Sequence, residues 1–568
     1  MYILGVNSVY HESSAALLKD GVLLATAEEE RFNRVKHGKQ ARSDNPHELP
    51  MQAIGYVLGH AGITLADVEM ATCAADLDEM RRVHEEGLPS AWNDAGDRER
   101  FLANVPKIPQ VLAEHGFRGD FRWVPHHTAH AASTFLASPY QEAAVLVVDA
   151  LGDDAWSTRL YHGRDRSLES LLDVRYPASL GYLWETISVL LGFGVYDAAK
   201  VMGLAAYGDP AVFRDAFDRL AWPTPDGGFE MDADALRFAE IMYYPPSAYH
   251  DRLVELFGIP ARRPGDDIAP VHEHIAAALQ AKTNEIMLHL AAHLRRRTGS
   301  ANLCLAGGVA LNCVTNTLLL AESGFESVYV QPAANDAGLA VGSALYVWNG
   351  ELDRPRTEPM THAYWGPEFS DDEIRAELDR RELSYTVPDD IDATVARLVA
   401  EGRVVGYFQG RMELGPRALG CRSIVADPRD RAMREILNQK VKHREYFRPL
   451  APSVLAEDVA DWMEVPGDTL AADMMLVTYR AKDDKKPQMG AVLHVDDTCR
   501  LQAVSAATNP RFHRMISEFK KITGVPMVLN TSFNDQEPII CTPADAIATF
   551  EKTQIDYLAA GSFLVAKV

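Results

Sequence analysis

Cysteine is scarce in this chain of 568 residues: Cys73, Cys304, Cys313, Cys421, Cys499 and Cys541 are scattered, and no CxxC occurs. That excludes a zinc ribbon and a redox dithiol, and free thiols of this kind point to a cytoplasmic location. Long apolar runs are missing as well. The longest, such as residues 143–148, fall far short of the roughly 20 residues that a membrane span requires. The start, MYILGVNSVYHESSAALL, lacks the basic leader of a signal peptide and reads as a strand entering a glycine turn. Positive charge is in deficit, with 56 Lys and Arg against 80 Asp and Glu and a net charge of −24. This argues against a nucleic-acid partner and fits either a cationic small substrate or simple solubility. The remaining composition, 47% hydrophobic and 24% charged, is that of an ordinary globular protein whose length calls for two to four domains.

What is present is organised around residues 124–154, VPHHTAHAASTFLASPYQEAAVLVVDALGDD. His126 and His130 are four apart, so a helix sets both imidazoles on one face. The apolar run that follows delivers Asp149, then Gly152, Asp153 and Asp154, at the end of a buried strand. Two nitrogens and a carboxylate suit Fe(II), Mn or Zn; surface histidines before a core strand are the alternative.

Around that stretch, the strand at 2–6 and the apolar runs at 15–18 and 22–27 read together as a β-hairpin with a polar tip at 19–21. The EEERFNRVKHG run at 28–38 is either a solvated face or a way to bring Lys36 near a phosphate. Residues 47–62 read as a helix, 68–74 as a strand and 183–191 as a helix; KVMGLAAYG at 200–208 reads as a glycine-interrupted loop. Residues 210–270 look like an insertion, and 271–297 form a long helix. The strand at 302–306 ends in GGVALN, where two glycines either let backbone N–H groups approach a phosphate or ribose or simply make a tight strand–helix turn, and Asn312 and Asn316 share a face. A further strand at 327–331 runs into NDAG, where Asp336 offers a fourth ligand for a His2Asp2 set. Strand ends bearing carboxylates, a Gly-Gly loop and intervening helices suggest the duplicated α/β fold of actin and sugar kinases. Asn7, however, stands where a kinase carries Asp.

After a Pro-rich break at 349–367, the helices at 371–381 and 394–400 and the strand at 402–409 open a second domain. Between 403 and 448 there are eleven Arg and Lys against five Asp and Glu, in an otherwise acidic chain. A one-signed segment mixed with glycine and apolar residues reads as an anion site. Residues 494–502 read as a strand with an outward arginine, and 525–529 as a strand opening the polar tip NTSFN, suited to holding a carbonyl or carbamoyl group.

The ordered motifs HESSAAL, EEERFNRVKHG, HHTAHAAS, KVMGLAAYG, GGVALN, NDAG, GRMELGPRALGCRS, KHREYFRPLAP, DDTCRLQ and LNTSFND cover nearly the whole chain. In them it resembles the O-carbamoyltransferases of nodulation and antibiotic biosynthesis, the tobramycin and cephamycin types included. The resemblance implies an actin-like, threonylcarbamoyl-transferase-like domain at 1–350 with an iron site, a linker at 351–385 and a YrdC-like α/β domain at 386–568. The latter would form carbamoyl adenylate from carbamoyl phosphate and Mg-ATP. The former would pass the carbamoyl group to a hydroxyl of a small-molecule natural product. An actin-like kinase acting on an alcohol is the alternative, and a homodimer is left open. By the same resemblance, His126, His130, Asp149 and Asp336 hold the metal and His11 is catalytic. Lys36, Gly181, Gly308 and Asn312 match contacts to the adenylate. Arg417, Lys442, Arg448, Arg500, Asn530 and Ser532 match contacts to carbamoyl phosphate and ATP. Glu12 departs from the Asp common in relatives.

Overall fold

The computed structural model describes every residue except 88–93, 153–154, 233–235, 237–249, 468 and 568. Asp153, Asp154 and part of the insertion at 210–270 therefore lie outside the described residues. The chain divides into two compact units, Met1–Glu29 with His37–Thr361, and Glu30–Lys36 with His362–Val568. Among the described residues no helix is long and apolar enough to cross a membrane.

The first unit is built twice from one plan. Strands β1 (Tyr2–Asn7), β2 (Ser14–Lys19) and β3 (Val22–Glu28) form an antiparallel meander, and β4 (Met70–Ala74) and β5 (Asp120–Val124) add in parallel, in the order β3-β2-β1-β4-β5. The second half repeats this with the meander β6 (Glu142–Val148), β7 (Trp156–Arg164) and β8 (Ser167–Arg175). A small hairpin, β9 (Ala221–Pro223) and β10 (Phe229–Met231), precedes the parallel strands β11 (Asn302–Ala306) and β12 (Ser327–Val330), giving the order β12-β11-β6-β7-β8. Two five-stranded sheets of identical order make this the duplicated α/β fold of the actin and sugar-kinase class. Both central strands, β1 and β6, are apolar and almost wholly buried, as strands covered on both faces must be. The helices His126–Phe135 and Leu339–Tyr346 cross at close range because Gly342 has no side chain: a Cβ there would lie 1.9 Å from Ala129 O.

KVMGLAAYG is not a loop. Residues Ala198–Ala205 are helical, since Lys, Met, Leu and Ala are strong helix formers that carry a single glycine at modest cost. The helix read at 183–191 starts earlier, at Leu180, where Ser179 Oγ caps it by accepting from the Tyr182 N–H.

The second unit centres on a seven-stranded mixed sheet. Its strands are β13 (Val405–Phe408), β14 (Arg422–Ala426), β15 (Ala451–Leu455), β19 (Gln502–Val504), β20 (Met527–Ser532), β21 (Tyr557–Ala560) and β22 (Phe563–Ala566), in the order β19-β15-β20-β14-β13-β21-β22. A minor sheet holds β16 (Met463–Glu464), β17 (Tyr479–Ala481) and β18 (Thr498–Cys499). The single strand read at 494–502 is thus two short strands in two sheets, β18 and β19, with Arg500 in the crossing between them. The segment Glu30–Lys36 is an integral part of this unit. Arg31 Nη2 donates to Gly415 O at 2.9 Å, and Arg34 donates to Ile539 O and Pro538 O.

Candidate functional site

In the first unit the ends of both halves converge on four buried side chains. Strand β5 runs through Pro125 into a helix whose first residue is His126, so His126 and His130 project from one face one turn apart. Strand β6 ends at Val148 and hands over Asp149; β12 leads to the turn that begins with Asp336. One ligand atom from each of the four lies within 4.8 Å of every other. His126 Nε2 is 3.2 Å from Asp149 Oδ2, and His130 Nε2 is 3.3 Å from Asp336 Oδ1 and 3.5 Å from Asp149 Oδ2. Such spacings are those of ligands that share one ion at about 2.1 Å, and a set of two nitrogens and two oxygens fits Fe(II), Mn or Zn. The residues present therefore fit a metal.

The electrostatics agree. Burial alone works against an imidazolium at His130, but the Asp149 and Asp336 carboxylates outweigh it and raise its pKa. Burial opposes ionised Asp149, yet His126 and His130 hold its carboxyl well below the usual range. The pocket thus favours positive charge between its carboxylates.

Of the sequence-predicted neighbours, Gly308 and Gly181 lie against this cluster. Gly308 donates its backbone N–H to Asp149 Oδ1 at 3.0 Å. Gly181 lies in the first turn of its helix against the residue after Asp149, where a Cβ would come within 2.6 Å of Ala150 Cα. Asn312 caps the helix Cys313–Glu322 by accepting from the Thr315 N–H, and its Nδ2 donates to Gln280 Oε1. Asn316 is fully buried and donates to Ala310 O. His11 belongs to the β1–β2 connection, whose carbonyls at His11 and Glu12 both accept from Asn7 Nδ2; three residues on, Ser14 Oγ donates to Ala337 O beside Asp336. Its Nδ1 is buried without a hydrogen-bond partner, and its ring packs edge-on to Tyr196 at 5.2 Å. Glu12 Oε1 meets His37 Nδ1 at 2.6 Å. Lys36 stands exposed at the end of the segment that belongs to the second unit.

The second unit gathers cations. Lys442 Nζ is buried within hydrogen-bond reach of Ser532 O, Ser532 Oγ, Asn534 O and Asn534 Oδ1. Burial, reinforced by Arg444 and Arg448, pushes its amine well below the ordinary value. Asn530, two residues before Ser532 on β20, donates from Nδ2 to Ala418 O at 3.1 Å and so ties β20 to the loop of Arg417. Ala418 O only accepts, so this contact fixes the amide orientation, and Asn530 Oδ1 is left buried with no donor. Arg444 was not singled out from the sequence, although it stands in the same basic segment. Burial, Arg448 and Arg500 together push its guanidinium down to about 9. Asn438 Oδ1 accepts from Arg444 Nε while Asn438 Nδ2 donates to Arg448 O, so a single amide ties the Arg444 guanidinium to the backbone at Arg448. Cations that raise one another's potential in this way mark a place for a polyanion.

Comparison with known proteins gives a consistent picture. Family profiles described as carbamoyltransferase N-terminus and carbamoyltransferase C-terminus match residues 2–345 and 396–567. An uncharacterized protein of Synechocystis sp. is 38% identical over 609 aligned positions, covering 100% of this chain and 97% of that protein. Nodulation protein NolNO of Sinorhizobium fredii is 36% identical over 567 positions, covering 99% of this chain and 80% of the relative. Nodulation protein NolO of Bradyrhizobium diazoefficiens is 39% identical over 447 positions, covering 78% of each.

Proposed function

The chain belongs to the carbamoyltransferase family, and from that premise we propose that it makes carbamoyl adenylate in its second unit and spends it on an alcohol in its first. The observation that carries this reading is the pairing of two unlike sites in one chain: a cluster of Lys442, Arg444, Arg448 and Arg500 in the second unit, and a buried His2Asp2 cluster beside the glycine loop in the first.

In the second unit Arg417, Lys442, Arg444, Arg448 and Arg500 supply the charge to hold carbamoyl phosphate and the triphosphate of Mg-ATP together. Asn530 Oδ1 accepts from the carbamoyl NH2, the donor its burial calls for, and Ser532 Oγ lies two residues on. For atoms to balance, carbamoyl phosphate yields its phosphate to water. The resulting carbamate oxygen then attacks the α-phosphorus of ATP and expels pyrophosphate.

In the first unit Gly308, Gly181 and Asn312 frame the adenylate. An ion held by His126, His130, Asp149 and Asp336, iron by the family resemblance, supplies Lewis-acid polarisation when bound. His11 takes the proton of the attacking hydroxyl at its ring nitrogen, the acceptor oxygen bonds to the carbamoyl carbon, and AMP leaves. General-base assistance of this kind contributes about 10²–10⁴ in rate. The acceptor is a hydroxyl-bearing small molecule.

The test separates the two half-reactions. The protein is incubated with ATP, carbamoyl phosphate and candidate alcohols, and pyrophosphate and carbamoylated product are followed. His126→Ala should abolish product and keep carbamoyl-phosphate-dependent pyrophosphate release, whereas Arg417→Ala should lower both. Loss of both with His126→Ala overturns the division of labour, and a phosphorylated acceptor with ADP instead would establish a kinase.

A further inference from the structure

The loop that carries Arg417 is closed on itself by a carboxylate that the reaction above does not use. Glu413 Oε1 accepts three backbone N–H bonds, from Leu419 at 2.7 Å, Cys421 at 2.7 Å and Arg422 at 3.2 Å. Converging N–H groups of this kind form a nest that ordinarily takes a bound anion. Here the chain fills the nest with its own side chain, and Glu413 is only 3% exposed.

The carbonyls of the same loop are pinned from the other side. Asn530 holds Ala418 O, Tyr364 and Gln502 both donate to Leu419 O, at 3.0 and 2.9 Å, and Gln409 donates to Gly420 O at 2.8 Å. The backbone from Ala418 to Gly420 is therefore fixed by hydrogen bonds on both sides. Arg417, half-buried, is the residue immediately before it. A turn needs no buried carboxylate to close, and Gly415 and Gly420 already supply the positive φ angles of 93° and 101°. Burying a carboxylate costs free energy, and Glu413 Oε2 is buried without a hydrogen-bond partner, so the three bonds at Oε1 hold the path of the loop against that cost.

We propose that Glu413 is a positioning residue: it locks the 413–422 loop so that Arg417 meets the dianionic phosphate of carbamoyl phosphate in a fixed, two-pronged geometry. This rests on the reading of Arg417 as an anion ligand. Glu413 touches no ligand itself and works only through Arg417. A misplacement of about 1 Å at such a contact costs up to 10²-fold.

A double-mutant cycle on the full-length protein tests this, with carbamoyl-phosphate-dependent pyrophosphate release as the readout. Glu413→Gln keeps the volume but weakens the hold on three N–H groups. It should raise KM for carbamoyl phosphate about tenfold in the wild-type background and leave it unchanged in the Arg417→Ala background. Glu413→Asp keeps the charge one carbon short and should show a smaller rise in KM, with a melting temperature near the wild type. Equal effects of Glu413→Gln in both backgrounds would overturn the proposal, as would a KM unchanged by both Glu413 variants while Arg417→Ala raises it. If Arg417→Ala itself leaves KM unchanged, the anion-site reading falls and the proposal with it. Should Glu413→Gln fail to fold, the Glu413→Asp cycle with Arg417→Ala decides by the same criterion.

Discussion

The backbone N–H of Gly308 donates to Oδ1 of Asp149 at 3.0 Å, while Oδ2 of the same carboxylate faces His126 and His130. The glycine loop after β11 therefore orients a carboxylate of the His2Asp2 cluster. Groups that hold a ligand in this way commonly matter 10–100-fold for metal affinity. Gly308→Ala keeps the N–H but places a Cβ 3.2 Å from Asp149 Oδ1, tight enough to turn the carboxylate. Metal affinity, measured by chelator competition, should weaken about tenfold, with pyrophosphate release in the second unit unchanged. Wild-type affinity in that variant would remove Gly308 from the metal site.

Glu185 offers a prediction about pH. It lies one turn after Gly181 on the helix Leu180–Leu190, its Oε2 is buried without a hydrogen-bond partner, and burial with the nearby Asp149 charge pushes its carboxyl up to about 8. A carboxyl with a raised pKa contributes stability that is fully present below its unfolded value of about 4.3 and is lost as pH rises through the folded value. Glu185→Gln removes that dependence. At pH 5 the variant and the wild type should melt within a degree or two of each other. At pH 8.5 the variant should melt a few degrees higher, since about 1 kcal/mol corresponds to roughly 2–4 °C for 150–250 residues and to less in a longer unit such as this one. Equal melting temperatures at both pH values would mean that Glu185 ionises freely in the fold.

The difference between what could and could not be read from the chain follows from range. His126 and His130 declare themselves by a four-residue spacing, and Asp149 and Asp336 by their places at strand ends; each is a local signal, and the duplicated sheet brings the four together. The basic segment around Arg417 is likewise local in composition. Glu413 and Glu185 gave no such signal, and Arg444 none beyond its place in that basic segment, because their character depends on what the fold packs against them: three N–H groups, a buried surrounding near Asp149, two further arginines. The passage of Glu30–Lys36 into the second unit was hidden for the same reason, since Arg31 and Arg34 bond to carbonyls hundreds of residues away. Where local propensity was misjudged, as at Ala198–Ala205, one glycine was given too much weight among good helix formers.

Arg422 should be the least replaceable cation of the second unit, for structural reasons. It is fully buried and donates to Cys541 O, Gln409 O, Gly410 O, Cys421 O and Pro367 O, with its guanidinium 4.0 Å from the centre of the Phe408 ring. No ammonium spans five carbonyls in a plane. Arg422→Lys keeps the charge and strands several acceptors, for a loss of about 3 kcal/mol. Denaturant unfolding should show that loss in the second unit, with metal binding by the first unit retained. A variant as stable as the wild type would show that water satisfies these carbonyls equally well.

Anion binding at Lys442, as proposed for the second unit, would be a proton-coupled event. In the free protein, burial together with Arg444 and Arg448 holds its amine well below the ordinary value of 10.5, and Arg444 is itself pushed down to about 9. A bound phosphate adds negative charge beside both and favours their protonated forms. Between the free and bound pKa values, binding must therefore take up protons, and the affinity must fall as pH rises through the free value. Calorimetry of carbamoyl phosphate binding at pH 8.5, in buffers of different ionisation enthalpy, should report net proton uptake. Lys442→Met should lower that uptake and weaken binding at least tenfold, which is about 1.4 kcal/mol. Proton release, or uptake unchanged by Lys442→Met, would show that the anion binds away from this amine.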